Sequence, residues 1–164
     1  MFYRECGRSA RGSVIYSVKS NIFGVTGESV LMLYGSHLTG APTSTLLVLS
    51  ETPLGDAALE ALEKSAASLE FGAAPLARVV VETDEGKLGA EDVRTIVEGL
   101  DPVALVACDA FAAETLSAAY RTPVTLDADN RLMGRTAVIF QDFEGMMNTP
   151  ADKQRAWALL KKLR

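Results

Sequence analysis

From residue 44 onward the chain alternates between short unbroken apolar runs and longer stretches with apolar residues every three or four positions. The run 45–49, Thr-Leu-Leu-Val-Leu, reads as a strand buried on both faces, as in a parallel sheet. Over 56–69, Leu59, Leu62, Ala66 and Leu69 fall on one side and Glu60, Glu63 and Lys64 largely on the other, which predicts an amphipathic helix. A second strand is predicted at 78–82 and a helix at 90–100, whose early Glu91 and Asp92 suit the positive end of the helix dipole. Pro102 leads into a third strand, 103–107, and Asp109 is placed to cap a helix that runs to Tyr120. A brief strand at 123–126, a turn at 127–130, a strand at 136–140, a long turn at 141–150 and a terminal helix at 151–163 complete the pattern. Four strand-helix units predict a three-layer αβα fold, a mostly parallel central sheet with helices on both faces.

Residues 1–43 break that rhythm. They are rich in glycine and small polar residues, with two β-like runs at 13–18 and 29–34 punctuated by Gly24, Gly27 and Gly35. The expectation is a single domain over 1–164 in which 1–43 is a β-rich extension forming a hairpin or sheet edge. His37, the one histidine, sits in a loop-like stretch and is expected on the surface. Trp157, Leu160 and Leu163 are expected to anchor the last helix, and Met146 and Met147 to be packing groups.

Composition narrows the class. A hydrophobic content of 48% with 23% charged residues is that of an ordinary globular protein, which excludes disorder. No apolar run approaches the ~20 residues that span a bilayer, and Met1-Phe2-Tyr3-Arg4-Glu5 does not open a signal peptide, so a cytoplasmic, membrane-free protein is expected. Cys6 and Cys108 lie in unlike settings, and two thiols cannot supply four metal ligands, so neither a disulfide nor a metal or iron-sulfur cofactor is expected. The net charge of −5 is unevenly spread: residues 51–101 carry 12 acids against 4 bases. Bases gather at Arg4, Arg8, Arg11 and Lys19 and at Lys153, Arg155, Lys161, Lys162 and Arg164, and both groups are read as solvated ends. An acidic total makes nucleic-acid binding weak or absent, because affinity for the backbone rests on cations displacing counterions.

Three segments carry a resemblance. Pro102-Val103-Ala104-Leu105-Val106-Ala107-Cys108-Asp109-Ala110-Phe111-Ala112-Ala113-Glu114-Thr115-Leu116 is followed by Met146-Met147-Asn148-Thr149-Pro150 and then by Lys153-Gln154-Arg155-Ala156-Trp157-Ala158-Leu159-Leu160-Lys161-Lys162-Leu163. In order and spacing these segments resemble the carboxyl-terminal half of the uracil-DNA glycosylase superfamily, especially its iron-sulfur branches. There "P-x-V-I-V-A-L-G-x-x-A-A-x-x-L" precedes a loop "H-P-S-x-L-L-x-N-P" and a helix "K-x-x-x-W-x-x-L-x-x-L". Leu47-Val48-Leu49-Ser50-Glu51-Thr52-Pro53 is similar to the first motif of that family, "I-V-G-E-A-P-G", so the likeness covers roughly residues 44–164. It implies the αβα scaffold of those enzymes, with a site at the carboxyl ends of the strands.

The departures fall on the chemistry. Family excision is implied to need an extruded base, an acid or positioned water at the first motif, and a donor that steadies the negative charge left on the base. The family's donor is the histidine of "H-P-S", and Asp142 stands in its place, followed by Phe143 and Glu144 for the proline and serine. A carboxylate there opposes a developing base anion. Ser50 and Leu54 replace the two glycines of the first motif, Asp109 replaces the glycine of "A-L-G", and the cluster cysteines are absent. Glu51 is the candidate catalytic acid, with the capping of the following helix as its alternative role. Ser50, Thr52, Pro53, Asp109, Asp142, Phe143 and Glu144 are candidate ligand-binding residues, and Asp142 with Glu144 is weighed as a cation-binding or proton-sharing pair. Three functional classes stay open: a scaffold without standard uracil excision that binds a nucleobase, nucleotide or other small ligand; an active hydrolase on an unusual substrate using Glu51; and a structural or regulatory interaction module.

Overall fold

The computed structural model describes residues 26–72 and 76–164, which adopt an α/β architecture. The expectations for the run 13–18, for Cys6 and for Arg4, Arg8, Arg11 and Lys19 lie outside the described residues. Along the chain run α1 (Gly27–Leu33), β1 (Leu38–Thr39), β2 (Leu46–Ser50), α2 (Asp56–Ser68), β3 (Ala77–Val80), β4 (Glu82–Thr83), β5 (Gly86–Lys87) and α3 (Ala90–Leu100). Then come β6 (Ala104–Ala107), α4 (Ala110–Tyr120), β7 (Ala128–Leu132), β8 (Arg135–Ile139) and α5 (Pro150–Leu160), which ends in a 3-10 turn, Lys161–Leu163.

The main sheet has the order β1-β3-β2-β6-β8-β7. Its four inner strands are parallel, while β1 and β7 lie antiparallel on its two edges. The unbroken apolar runs follow from burial on both faces. Leu47, Leu49, Leu105, Ala107, Ala137 and Ile139 pack on the side of α1, α3 and α4. Their neighbours Leu46, Val48, Ala104, Val106 and Val138 pack on the side of α2 and α5.

From β2 the chain crosses through α2 to β3 on one side, then returns through α3 to β6 on the other side and continues through α4 and the edge strand β7 to β8. Right-handed crossovers in opposite directions put α2 on one face and α3 and α4 on the other. That reversal leaves a crevice between the carboxyl ends of β2 and β6, where an open α/β sheet presents its site.

Five expectations need correction. The run 29–34 forms most of α1 and not a β element: Thr26 caps the helix by accepting the Ser29 N–H (3.2 Å), and Val30, Leu31 and Tyr34 point together at the core at helical spacing. No strand forms at 123–126, because the Asn130 side chain accepts from the Thr125 N–H (2.8 Å) and donates to its carbonyl (2.9 Å), holding that stretch as a loop. The expected turn at 127–130 is largely β7, and the real turn is Met133-Gly134, both with positive φ, as a two-residue hairpin of primed type demands. His37 is buried, and its Nδ1 lies 2.8 Å from the Val80 carbonyl; a carbonyl only accepts, so Nδ1 carries the proton. Trp157 is 36% exposed, and Ala156, Leu160 and Leu163 are what seat α5 on the sheet.

One polar cluster locks the opposite end of the sheet. Arg135 of β8 pairs with Glu98 (2.9 Å) and Asp101 (2.7 Å) and donates from Nε to the Pro102 carbonyl (3.0 Å), while the Tyr120 hydroxyl donates to Glu98 (2.6 Å). The Arg135 and Glu98 side chains are only 11% and 15% exposed, so removing the guanidinium takes a paired cation from an acid held away from water, which keeps the Tyr120 hydroxyl. Arg135→Met is expected to lower stability by roughly 2 kcal/mol, between the values for exposed and fully buried pairs, as read from the urea midpoint.

Candidate functional site

The carboxyl ends of β2, β6 and β8 bring Glu51, Asp109 and Asp142 together. Asp109 Oδ2 accepts the Glu51 N–H (2.8 Å) and Oδ1 accepts the Ala112 N–H (2.7 Å), so one side chain both caps α4 and ties it to the end of β2. The backbones around Asp109 and Asp142 are bridged as well: the Phe143 N–H donates to the Cys108 carbonyl (2.8 Å) and the Ala110 N–H to the Gln141 carbonyl (3.2 Å). The crevice at the strand reversal is therefore crossed by the Glu51–Asp109 hydrogen bond, and the ends of β6 and β8 beside it are joined by the other two.

The remaining acids also serve the backbone. Asp142 Oδ1 accepts the Gly145 N–H (2.9 Å), and any side chain at Gly145 would run into that carboxylate. Glu144 Oε1 accepts the Gly55 N–H (2.9 Å) and so caps α2, whose own N-cap glycine has no side chain to do it. The sequence offers Glu51 for that cap, and Glu144 fills it instead. A cation shared by Asp142 and Glu144 finds no support: the two carboxylates address different backbone amides, and no group of three metal-ligating side chains occurs among the described residues.

Glu51 is half-buried. Its N–H goes to Asp109 and its carbonyl accepts from the Glu82 N–H (2.8 Å), leaving the carboxylate with no hydrogen bond or ion pair among the described residues. Beyond Glu82, the hairpin β4–β5 brings the Lys87 ammonium to 4.0 Å from the centre of the Phe111 ring in the first turn of α4. Nothing in the sequence announces this hairpin, since two-residue strands leave no periodic signal.

The other candidates are separated. Ser50 is buried at the end of β2 and, with Pro53 and Arg78, lines a small hollow of about 190 Å³ toward the β1 edge, while Thr52 is exposed. Phe143 is fully buried, its ring 4.9 Å from that of Phe140 within the core under α5. Asp142 instead borders a groove of about 880 Å³ between the 141–148 loop and α5, together with Asp127, Gln141, Asn148, Arg155 and Lys162. Only Asp142 of the sequence candidates reaches it. Its α5 side was legible as the stripe Asp152, Arg155, Leu159 and Lys162 at helical spacing, but the residues facing that stripe come from distant positions.

The bases of the terminal segment are largely paired: Arg155 with Asp152 (2.6 Å), Lys162 with Asp129 (2.7 Å) and Arg164 with Glu70 (3.1 Å).

Cys108, directly before Asp109, is buried, and burial first, then the negative charges of Asp109 and Glu144, push its thiol well above the ordinary range. The Tyr120 phenol is pushed up too, by burial and by the Glu98 carboxylate. In both cases the folded state holds its proton while the unfolded chain releases it, from about 9.0 for the thiol and about 10.0 for the phenol. Stability is thus expected to be level up to the thiol's unfolded value, to fall above it by about 1.4 kcal/mol per pH unit for the fully buried thiol, and to fall further, by less than that because the phenol is partly exposed, above the phenol's own unfolded value. Denaturation midpoints taken across the alkaline range check this, and Cys108→Ala removes the earlier part of the fall.

No helix among the described residues is long and apolar enough to cross a membrane. No protein-family model matches this chain, and no curated protein matches it.

Proposed function

We propose that this chain is a divergent, cytoplasmic uracil-DNA-glycosylase-like protein that keeps the αβα scaffold, does not excise uracil, and binds a nucleobase, nucleotide or comparable small ligand. The observation that carries the reading is the use of the acids at the strand ends. Asp109, Asp142 and Glu144 each accept backbone N–H groups and hold loops in place, and Asp142, at the position of the family's histidine, offers an acceptor where excision needs a donor. Removing a base leaves negative charge on it, and a carboxylate in that place raises the barrier. A large groove beside this frame is what supports a binding role.

Oligonucleotides carrying uracil, hypoxanthine or xanthine, single-stranded and duplex, should survive incubation and alkali uncut. Strand cleavage that Glu51→Gln abolishes would overturn the reading and establish the hydrolase alternative. A panel of bases, nucleosides and nucleotides should contain at least one member that raises the melting temperature.

A second reading, an interaction module, draws support from one surface. A hollow of about 410 Å³ between α2 and α5 is bordered by Ala57, Ala61, Met147 and the half-exposed Trp157. Light scattering after size exclusion tests the self-associating form of this reading, which predicts a dimer that Trp157→Ser dissociates.

A further inference from the structure

We infer that the groove between the 141–148 loop and α5 is a site for a base bearing an exocyclic amino group, adenine or cytosine or their nucleosides, and that it discriminates against both uracil and phosphate. This rests on the ligand-binding reading above and goes beyond it in naming the place and the chemistry.

Size comes first. At about 880 Å³ the groove falls within the range of small-molecule sites, roughly 300–1,000 Å³, and exceeds the hollows of about 410 and 190 Å³ elsewhere. Its apolar part is supplied by Met146, Ala158 and Leu159, a surface on which a flat ring can lie and to which the methionine can adapt.

Polar groups of two kinds border that surface. The side-chain amides of Gln141 and Asn148 make no hydrogen bond among the described residues, and each offers a donor and an acceptor together. Asp127 and Asp142 each have one oxygen on a backbone N–H, of Gln141 (3.1 Å) and Gly145 (2.9 Å), which leaves each a second oxygen as an acceptor. An amino group satisfies such an acceptor. Carboxylates pair with the cytosine amine, and the amides of Asn and Gln pair with the amine and ring nitrogen of adenine. Uracil presents a carbonyl oxygen at the corresponding position; the amides can turn a donor toward it, but a carboxylate oxygen repels it, so the discrimination rests on Asp127 and Asp142.

Charge decides against phosphate. The groove's two cations, Arg155 and Lys162, are already paired, with Asp152 (2.6 Å) and Asp129 (2.7 Å), whereas Asp127 and Asp142 have only amide partners. A phosphate would have to share those cations with the acids that already offset their charge, and would meet the carboxylates of Asp127 and Asp142 in the same space.

The test is calorimetric titration of the full chain with adenosine, cytidine, uridine, adenosine 5′-monophosphate and cytidine 5′-monophosphate. Adenosine or cytidine should bind at least about tenfold more tightly than uridine and than its own monophosphate. Asp142→Asn should erase the preference for the amino-bearing base and Gln141→Ala should weaken binding, whereas Asp84→Asn, in the β4–β5 turn, should change neither. Two results overturn the inference and leave the ligand-binding reading standing: uridine or a monophosphate binding as tightly as the nucleosides, or amino-base binding indifferent to both groove variants. If no base, nucleoside or nucleotide binds at all, both fall.

Discussion

Phe143→Ala is expected to lower the unfolding free energy by about 4 kcal/mol, the loss typical of emptying a fully buried phenylalanine site. The ring is completely inaccessible, tilts against Phe140 at 4.9 Å between centres, and fills the core between α5 and the sheet beside Ala156 and Leu160. Its neighbours are fixed by the sheet on one side and by a helix on the other, so little collapse into the cavity is expected. For a domain of this size the loss corresponds to a fall of about 8–16 °C in melting temperature. Phe143→Leu, which keeps most of the apolar volume, should recover the larger part. The pair of variants also separates roles. If Phe143 touched a ligand, binding would change while the melting temperature held; as a core residue it moves the melting temperature first.

Asp109→Ala should cost about 3 kcal/mol, from two losses that add. The cap of α4 contributes about 1 kcal/mol. Stranding the Glu51 N–H, which then has no acceptor in a half-buried crevice, contributes about 1–3 kcal/mol more. Asp109→Asn is the informative companion. Its carbonyl oxygen can keep the Ala112 N–H, but its amide presents a donor to the Glu51 N–H, so the cap survives and the tie across the crevice is lost. Chemical denaturation should rank the wild type above the asparagine variant and that above the alanine variant. Equal stability of the alanine variant and wild type would show that the tie across the crevice contributes nothing to the fold.

Both residues came from the sequence as candidate ligand contacts, and in both the side chain turns inward or along the backbone. The same holds for Glu144, whose partner Gly55 lies 89 positions away. A carboxylate near a strand end looks alike in sequence whether it faces a substrate or an amide. Which one it faces depends on which loop the fold lays beside it.

What the sequence determined by itself was the frame. Unbroken apolar runs such as 46–49 and 104–107, alternating with amphipathic stretches, fit strands covered on both faces, the spacing of Leu62 or Ile96 fits helices packed from one side, and Asp109 sits where a helix begins. These signals are local, because they arise from the period of the backbone. Tertiary structure alone decided the rest: that 29–34 coils into α1 once Thr26 caps it, that the edge strand is β7 because Met133-Gly134 can make the tight turn, and that Trp157 stays half-exposed while Ala156 is buried. It also decided that Gln141, Asn148, Arg155 and Lys162 share one groove with Asp142. The Thr26 cap and the Met133-Gly134 turn are themselves local, but what selects them, like the burial of Ala156 and the shared groove, is packing between residues far apart in the chain, and the energy of such a contact exists only after the sheet has brought its partners together.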